Sequence, residues 1–219
     1  MIKLCVFDLD GTVLNTLTSI SYYANKALEK YSFPEIELQK YRYFVGDGAK
    51  MLVKRMVDYV GGTEIDFQNV YREYMETYTK NSTYLTVPYE GIEKLLKELK
   101  EVGIKSVILT NKPQQQAENV ISEALKEGPF ENIYGGKEAV PLKPDPTVLL
   151  NIIEEYKVNK DEVLFIGDTK TDLETAKNGG VKSIGVLWGF RDEAELREYN
   201  ATYIVKVPEE IMDIVKNNG

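Results

Sequence analysis

Four short apolar runs recur along the chain, and each ends in polar residues: LCVF at 4–7, KSVIL at 105–109, EVLFI at 162–166 and KSIGV at 182–186. Bounded runs of this length read as buried strands. Helix-like segments lie between them. GIEKLLKELKE at 91–101 places its apolar residues at helical spacing. Segments 113–125 and 146–156 begin with proline, which suits a helix's first turn. Segment 169–178 opens on a capping threonine and stops at Gly179-Gly180. A weaker strand at 202–205 and a last helix at 208–216 close the chain. Strands alternating with helices in this way imply parallel βαβ units and a doubly wound sheet. In such sheets, ligands sit at the strands' C-terminal ends. The polar clusters fall there: Asp8 and Asp10, Thr110 and Asn111, Asp168 and Asp172.

One interval breaks the alternation. Residues 15–85 read as almost wholly helical, with candidates at 17–31, 35–43, 48–60 and 64–80. This is too long for a single crossover, so it predicts a helical insert folded over the end of the first strand. Pro88-Tyr89-Glu90-Gly91 then returns the chain to the sheet. At 219 residues, the chain is long enough for one domain with a real core that carries a smaller insert.

Histidine is absent, and this narrows the chemistry. A Ser-His-Asp triad, a His-paired cysteine nucleophile and histidine metal ligands are excluded within this chain. Any metal must be bound by oxygen, which points to a hard cation such as magnesium. Any general acid or base must be Asp, Glu, Lys, Tyr or Cys. The net charge of -8 argues against a nucleic-acid partner. It leaves an anionic substrate open, because a bound divalent cation reverses the local field. The single cysteine, Cys5, sits in the first apolar run and reads as a buried structural thiol. No signal-peptide pattern and no apolar run of membrane-spanning length is visible, so a cytoplasmic protein with no membrane partner is expected.

The first run passes directly into Asp8-Leu9-Asp10-Gly11-Thr12. Asp and Gly are turn residues, so a solvated turn is the plain reading. The other strand ends supply partners for a chemical one: Thr110-Asn111-Lys112, Lys143 within Pro141-Leu142-Lys143-Pro144-Asp145-Pro146, and Gly167-Asp168-Thr169-Lys170-Thr171-Asp172. Together these residue types suit phosphoryl transfer, where the protein mainly positions groups and neutralises charge. Clustered carboxylates make an oxygen site for magnesium. One carboxylate can be a nucleophile. A hydroxyl, backbone amides and a lysine can bind phosphate oxygens. A second carboxylate can protonate a leaving group and then activate water.

The four motifs Asp8-Leu9-Asp10-Gly11-Thr12, Leu109-Thr110-Asn111, Lys143-Pro144 and Gly167-Asp168-Thr169…Asp172 stand in an order that resembles the haloacid dehalogenase superfamily. The insert after the first motif resembles that family's small helical cap. The resemblance implies an α/β fold: a Rossmann-like parallel sheet core, 1–14 and 86–219, with an inserted helical cap domain, 15–85. It implies Asp8 as the nucleophile and a magnesium ligand. Asp10 becomes the general acid/base, with its backbone carbonyl on the metal. Thr110 and the amide of Asn111 bind phosphate, Lys143 neutralises Asp8 and the phosphate, Asp168 ligates magnesium, and Asp172 supports the metal's waters. An acid at position 10 favours phosphate monoester hydrolysis through an aspartyl-phosphate over dehalogenation.

The loop Phe44-Val45-Gly46-Asp47-Gly48-Ala49-Lys50 and the segment Gly185–Phe190 resemble the phosphoglycolate phosphatase-like members. They make phosphoglycolate the expected substrate, a small phosphorylated metabolite. A β-phosphoglucomutase-like phosphomutase is the alternative, as is a pyrophosphatase or 5′-nucleotidase of the same superfamily. Gly46 is the expected loop contact to substrate, and Lys50 and Arg55 are candidate anion binders. Trp188 reads either as a residue at the site's mouth or as core packing. Tyr22, Tyr23, Tyr71, Tyr74 and Tyr78 fall near helical spacing and read as packing residues. A monomer or homodimer is expected.

Overall fold

The computed structural model describes residues 1–126 and 128–217. Its strands are β1 (Leu4–Phe7), β2 (Leu14–Asn15), β3 (Val87–Pro88), β4 (Lys105–Pro113), β5 (Asn132–Gly136), β6 (Val163–Gly167), β7 (Lys182–Val186) and β8 (Tyr203–Val205). The first four helices are α1 (Leu17–Lys30), α2 (Leu38–Phe44), α3 (Ala49–Tyr59) and α4 (Glu64–Asn81). The remaining six are α5 (Ile92–Glu101), α6 (Gln114–Ala124), α7 (Thr147–Tyr156), α8 (Lys170–Gly179), α9 (Glu193–Glu198) and α10 (Glu209–Asn217).

Six strands form one parallel sheet in the order β5-β4-β1-β6-β7-β8. β1 lies inside the sheet, and all four of its residues are buried. Its side chains alternate between faces: Cys5 and Phe7 join one apolar layer, Leu4 and Val6 the other. Helix α5 shows why its sequence is helical. Ile92, Leu95, Leu96 and Leu99 are buried at helical spacing, while its lysines and glutamates face outward. From β1 the chain first builds β4 and β5 on one side, then crosses to β6, β7 and β8 on the other. The C-terminal ends of β1, β4 and β6 therefore surround the point where the strand order reverses.

Helices α1 to α4 pack around their own apolar cluster, including Leu28, Val53, Met56, Tyr74 and Tyr78. The chain enters and leaves them through a short antiparallel pair, with Leu14 opposite Pro88 and Asn15 opposite Val87. Among the described residues, no helix is long and apolar enough to cross a membrane.

Several details depart from the sequence expectation, among them α9 and the β2–β3 pair, neither of which the sequence reading includes. The sheet has a sixth strand, β5, at its edge. Its residues NIYGG are part-exposed and lack a bounded apolar run, so no strand signal stands out. Strand β4 continues to Pro113 instead of stopping at 109, and its polar residues Thr110, Asn111 and Lys112 are buried. The second insert helix starts at Leu38 rather than 35, because Ile36 is tied down by Asn25. Its amide donates to Asn25 Oδ1 and its carbonyl accepts from Asn25 Nδ2.

Candidate active site

The parallel ladder sets the site. Asp8 follows β1, and its amide still donates to the Ile166 carbonyl at 2.8 Å. Asp168 follows β6 in the same way, one strand over. Asp172 lies in the first turn of α8, where its Oδ2 accepts from the Thr169 hydroxyl (2.8 Å) and from the amides of Thr169 (3.0 Å) and Asp168 (3.2 Å). A carboxylate is favoured there by the helix N-terminus. Two glycines make room for Asp168. A Cβ on Gly11, whose φ is +90°, would lie 2.3 Å from Asp168 Oδ2, and a Cβ on Gly189 would lie 2.3 Å from its Cβ. Asp168 accepts hydrogen bonds from Thr12 Oγ1 (3.2 Å) and the Phe190 amide (2.7 Å).

Lys143 reaches this cluster from the loop before α7. Its ammonium sits 2.8 Å from Asp8 Oδ1 and 2.7 Å from Asp172 Oδ1. Asn111 holds that loop in place: its Oδ1 accepts from the Lys143 amide (2.8 Å) and its Nδ2 donates to the Lys143 carbonyl (3.0 Å). The same Nδ2 donates to the carbonyl of Gly46, tying strand β4 to the insert.

The electrostatics are those of a crowded acidic pocket. Burial pushes the Asp8 carboxyl up to about 7, Asp172 adds to this, and Lys143 opposes it. Burial, then Asp172 and Asp8, raises Asp168 well above the carboxylate range. Burial alone would depress Lys143, but Asp172 and Asp8 outweigh it and hold the ammonium charged. Carboxylate oxygens of Asp8, Asp168 and Asp172 lie within 4.8 Å of one another. Three buried acids thus face one ammonium in contact, which leaves two negative charges unbalanced when all are ionised. Asp8 Oδ1 has its ion pair but no aligned hydrogen bond. An all-oxygen donor set with this charge deficit fits a hard divalent cation.

Asp10 lies at the edge of the cluster and pairs with a residue not singled out in the sequence. Lys112 Nζ donates to Asp10 Oδ1 (3.0 Å) and Oδ2 (3.2 Å), and to the Tyr78 hydroxyl (2.8 Å). Lys112 is buried, and its ammonium also lies over the Tyr78 ring, 4.7 Å from the centroid. Thr110 is buried beside it, with Oγ1 accepting from the Lys112 amide.

Above Asp8 and Asp10 lies a small cavity of about 40 Å³. Thr110, Asn111 and Lys112 line its floor, and Ile20, Leu52 and Tyr74 of the insert close it from above. Gly46 lines it as well. Lys50 is exposed and lines none of the described cavities. Arg55 points elsewhere: it donates to the Phe44 carbonyl (2.9 Å) and pairs with Asp47, whose other oxygen accepts from Thr171. Tyr74 and Tyr78 are both packing residues and cavity walls, and Tyr22, though exposed, packs edge-on against Tyr23 and Tyr84. Trp188 packs against the sheet's apolar layer and donates from its indole nitrogen to the Thr12 carbonyl at 2.9 Å, away from the cavity.

The loop after β7 also fastens insert to sheet. Phe190 is buried in the insert's apolar cluster. Arg42 donates to the carbonyls of Phe190 (2.8 Å) and Gly189 (3.0 Å), and Arg191 donates to that of Val45 (3.1 Å). The amide of the same Phe190 binds Asp168, so the fastening and the acidic cluster share one residue.

Known proteins resemble this chain along nearly its whole length. The phosphoglycolate phosphatase of Vibrio parahaemolyticus is 26% identical over 219 residues, covering 98% of this chain and 96% of that protein. The phosphoglycolate phosphatase of Haemophilus influenzae is 27% identical over 208 residues, covering 92% and 93%. The crystal structure of a predicted phosphoglycolate phosphatase from Haemophilus somnus superposes with a TM-score of 0.91 at 25% identity, covering 97% of each chain. A predicted phosphatase from Clostridium acetobutylicum gives 0.85 at 26% identity, covering 99% of each chain. The family model of the haloacid dehalogenase-like hydrolases matches residues 5–186, the stretch that runs from β1 through all the acidic strand ends to β7. This chain belongs to that family of hydrolases.

Proposed function

We propose that the protein is a phosphatase of a small phosphate monoester, with phosphoglycolate as the favoured substrate. The observation that carries this reading is the pairing of buried Asp8 with Lys143, beside Asp10 and under a roofed cavity. The phosphoglycolate phosphatases among its relatives support the choice of substrate.

In this reading Asp8 is the nucleophile. Its oxygen forms a bond to phosphorus as the bond from phosphorus to the ester oxygen breaks. Asp10 gives its proton to the departing oxygen, leaving an aspartyl-phosphate on Asp8. Asp10 then takes a proton from water, whose oxygen attacks phosphorus. The bond to Asp8 breaks and phosphate leaves. Thr110 and the Asn111 amide bind phosphate oxygens, while the Asn111 side chain keeps Lys143 in reach of Asp8. Lys143 offsets the charge of Asp8 and of the phosphate.

Asp8 and Asp168 would hold magnesium, together with the Asp10 carbonyl, and Asp172 would support its waters. When bound, the ion supplies positive charge against the phosphoryl oxygens. Residues 15–85 act as the cap that excludes bulk water, and 1–14 with 86–219 act as the catalytic core. Gly46 contributes to the roof. Arg55 serves as a clamp of its own loop, and Lys50 stays outside the substrate contacts.

Magnesium-dependent phosphate release from a panel tests this reading. The panel holds phosphoglycolate, pyrophosphate, nucleoside monophosphates and hexose phosphates. The expected result is turnover with the highest kcat/KM for phosphoglycolate. A flat profile withdraws the substrate, and silence across the panel removes the phosphatase.

A further inference from the structure

Lys112 carries more than its place next to Asp10. Among the described residues that line the cavity it is the single lysine or arginine. Lys143 lies below, engaged by Asp8 and Asp172, and is not part of the cavity wall. The roof over the leaving-group side is apolar or aromatic: Ile20, Val45, Leu52 and Tyr74. A substrate's second anionic group, entering beneath that roof, loses its water. An unpaired charge in such a place is strongly disfavoured, and one paired to a fixed cation is tolerated. The geometry leaves one cation to do this.

Lys112 is also held ready. It is buried, its stem is fixed by the β4 backbone, and Tyr78 of α4 grips its ammonium from the cap side. Its other two hydrogen bonds go to Asp10 Oδ1 and Oδ2, so all three ammonium protons are engaged, and an incoming carboxylate binds by taking the place of one Asp10 oxygen. Lys112 is therefore pre-organised for an oxyanion at the point where cap and core meet.

We propose that Lys112 is a specificity-determining residue that selects monoesters whose leaving group bears its own anionic charge, a carboxylate above all. This rests on the phosphatase reading above, and it deepens it by naming the residue that reads the leaving group. Because Tyr78 belongs to the cap, the selection operates in the closed arrangement.

The test compares two substrates of equal length, phosphoglycolate and 2-hydroxyethyl phosphate, in which a hydroxymethyl group replaces the carboxylate. In the unaltered protein with magnesium, kcat/KM is expected to favour phosphoglycolate by about 10- to 100-fold, the size of one charge-assisted hydrogen bond. Lys112→Met and Lys112→Gln lower turnover of both esters, because Asp10 loses its partner. The ratio of the two kcat/KM values should fall toward one, mostly through KM for phosphoglycolate. Equal turnover of both esters by the unaltered protein overturns the proposal and leaves the phosphatase standing; this arm needs no variant. A ratio that persists in both folded variants overturns it too. Hydrolysis of neither ester, nor of any in the panel, removes the phosphatase reading itself.

Discussion

Asp8→Asn should separate function from stability, and in opposite directions. Asp8 is almost fully buried, and its carboxyl is pushed from 3.8 up to about 7, first by burial and then by Asp172. Between these two values the folded protein keeps a proton that the unfolded chain has released. The folded state then binds more protons, so stability falls as pH rises through this window and levels off above about 7. At about 1.36 kcal/mol per unit, the full penalty is on the order of 4 kcal/mol. Asparagine imitates the protonated side chain and still offers Lys143 an oxygen, so the variant escapes the penalty. From pH 5 to pH 8 the variant's advantage over the parent should widen by about 3 kcal/mol. For a chain of this size that is about 6–12 °C in Tm. The assay is thermal unfolding of both proteins in chelator at the two pH values, with phosphate release measured alongside. Activity should vanish while Tm at pH 8 rises. An advantage that does not grow with pH would refute the claim that Asp8 is held against its charge.

If the acidic cluster holds magnesium as proposed, the ion should raise the Tm of the parent protein at pH 8 and do so far less for Asp168→Asn; equal shifts in both would remove Asp168 from the metal site. Asp10→Asn should cut turnover by about 100-fold or more and also lower Tm, because buried Lys112 loses its carboxylate partner; an unchanged rate would take Asp10 out of proton transfer. Gly189→Ala should destabilise the protein by about 1–3 kcal/mol or more and lower activity, because its Cβ would sit 2.3 Å from Asp168 Cβ and 2.6 Å from the Gly11 carbonyl; urea unfolding measures this, and a neutral result would contradict the close approach. Phe190→Ala should cost about 3–5 kcal/mol by emptying its place in the cap's apolar cluster, read in the same assay.

The strands that the sequence made plain are those buried on both faces, β1, β6 and β7, whose apolar runs cannot be solvated. β5 stayed hidden because an edge strand needs little apolar character, and NIYGG has little. The instructive case is β4. Thr110, Asn111 and Lys112 looked like a strand's end because they are polar, yet the strand runs through them. Polarity and burial disagree there because these side chains are spent on the site: Asn111 on Lys143 and Gly46, Lys112 on Asp10 and Tyr78. The acids that share a motif with a strand end were legible for the same reason that the sheet was. Partners that meet only in three dimensions were not. Nothing in local spacing pairs Lys112 with Tyr78, or sends Arg42 and Arg191 across the seam between cap and core. Arg55 suits an anion by type, yet it turns to Asp47 and a carbonyl and does not line the cavity over Asp8, which its spacing could not tell.

Where the phosphoryl group goes decides the proposed mechanism. The most direct measurement is rapid-quench mass spectrometry of Asp10→Asn, mixed with phosphoglycolate and magnesium, followed by digestion and sequencing of the N-terminal peptide. Slowed dephosphorylation should let a phosphoryl group accumulate on Asp8, and nowhere else. Phosphate release by the parent protein with no phosphoryl group trapped on Asp8, together with residual turnover in Asp8→Asn, would contradict it.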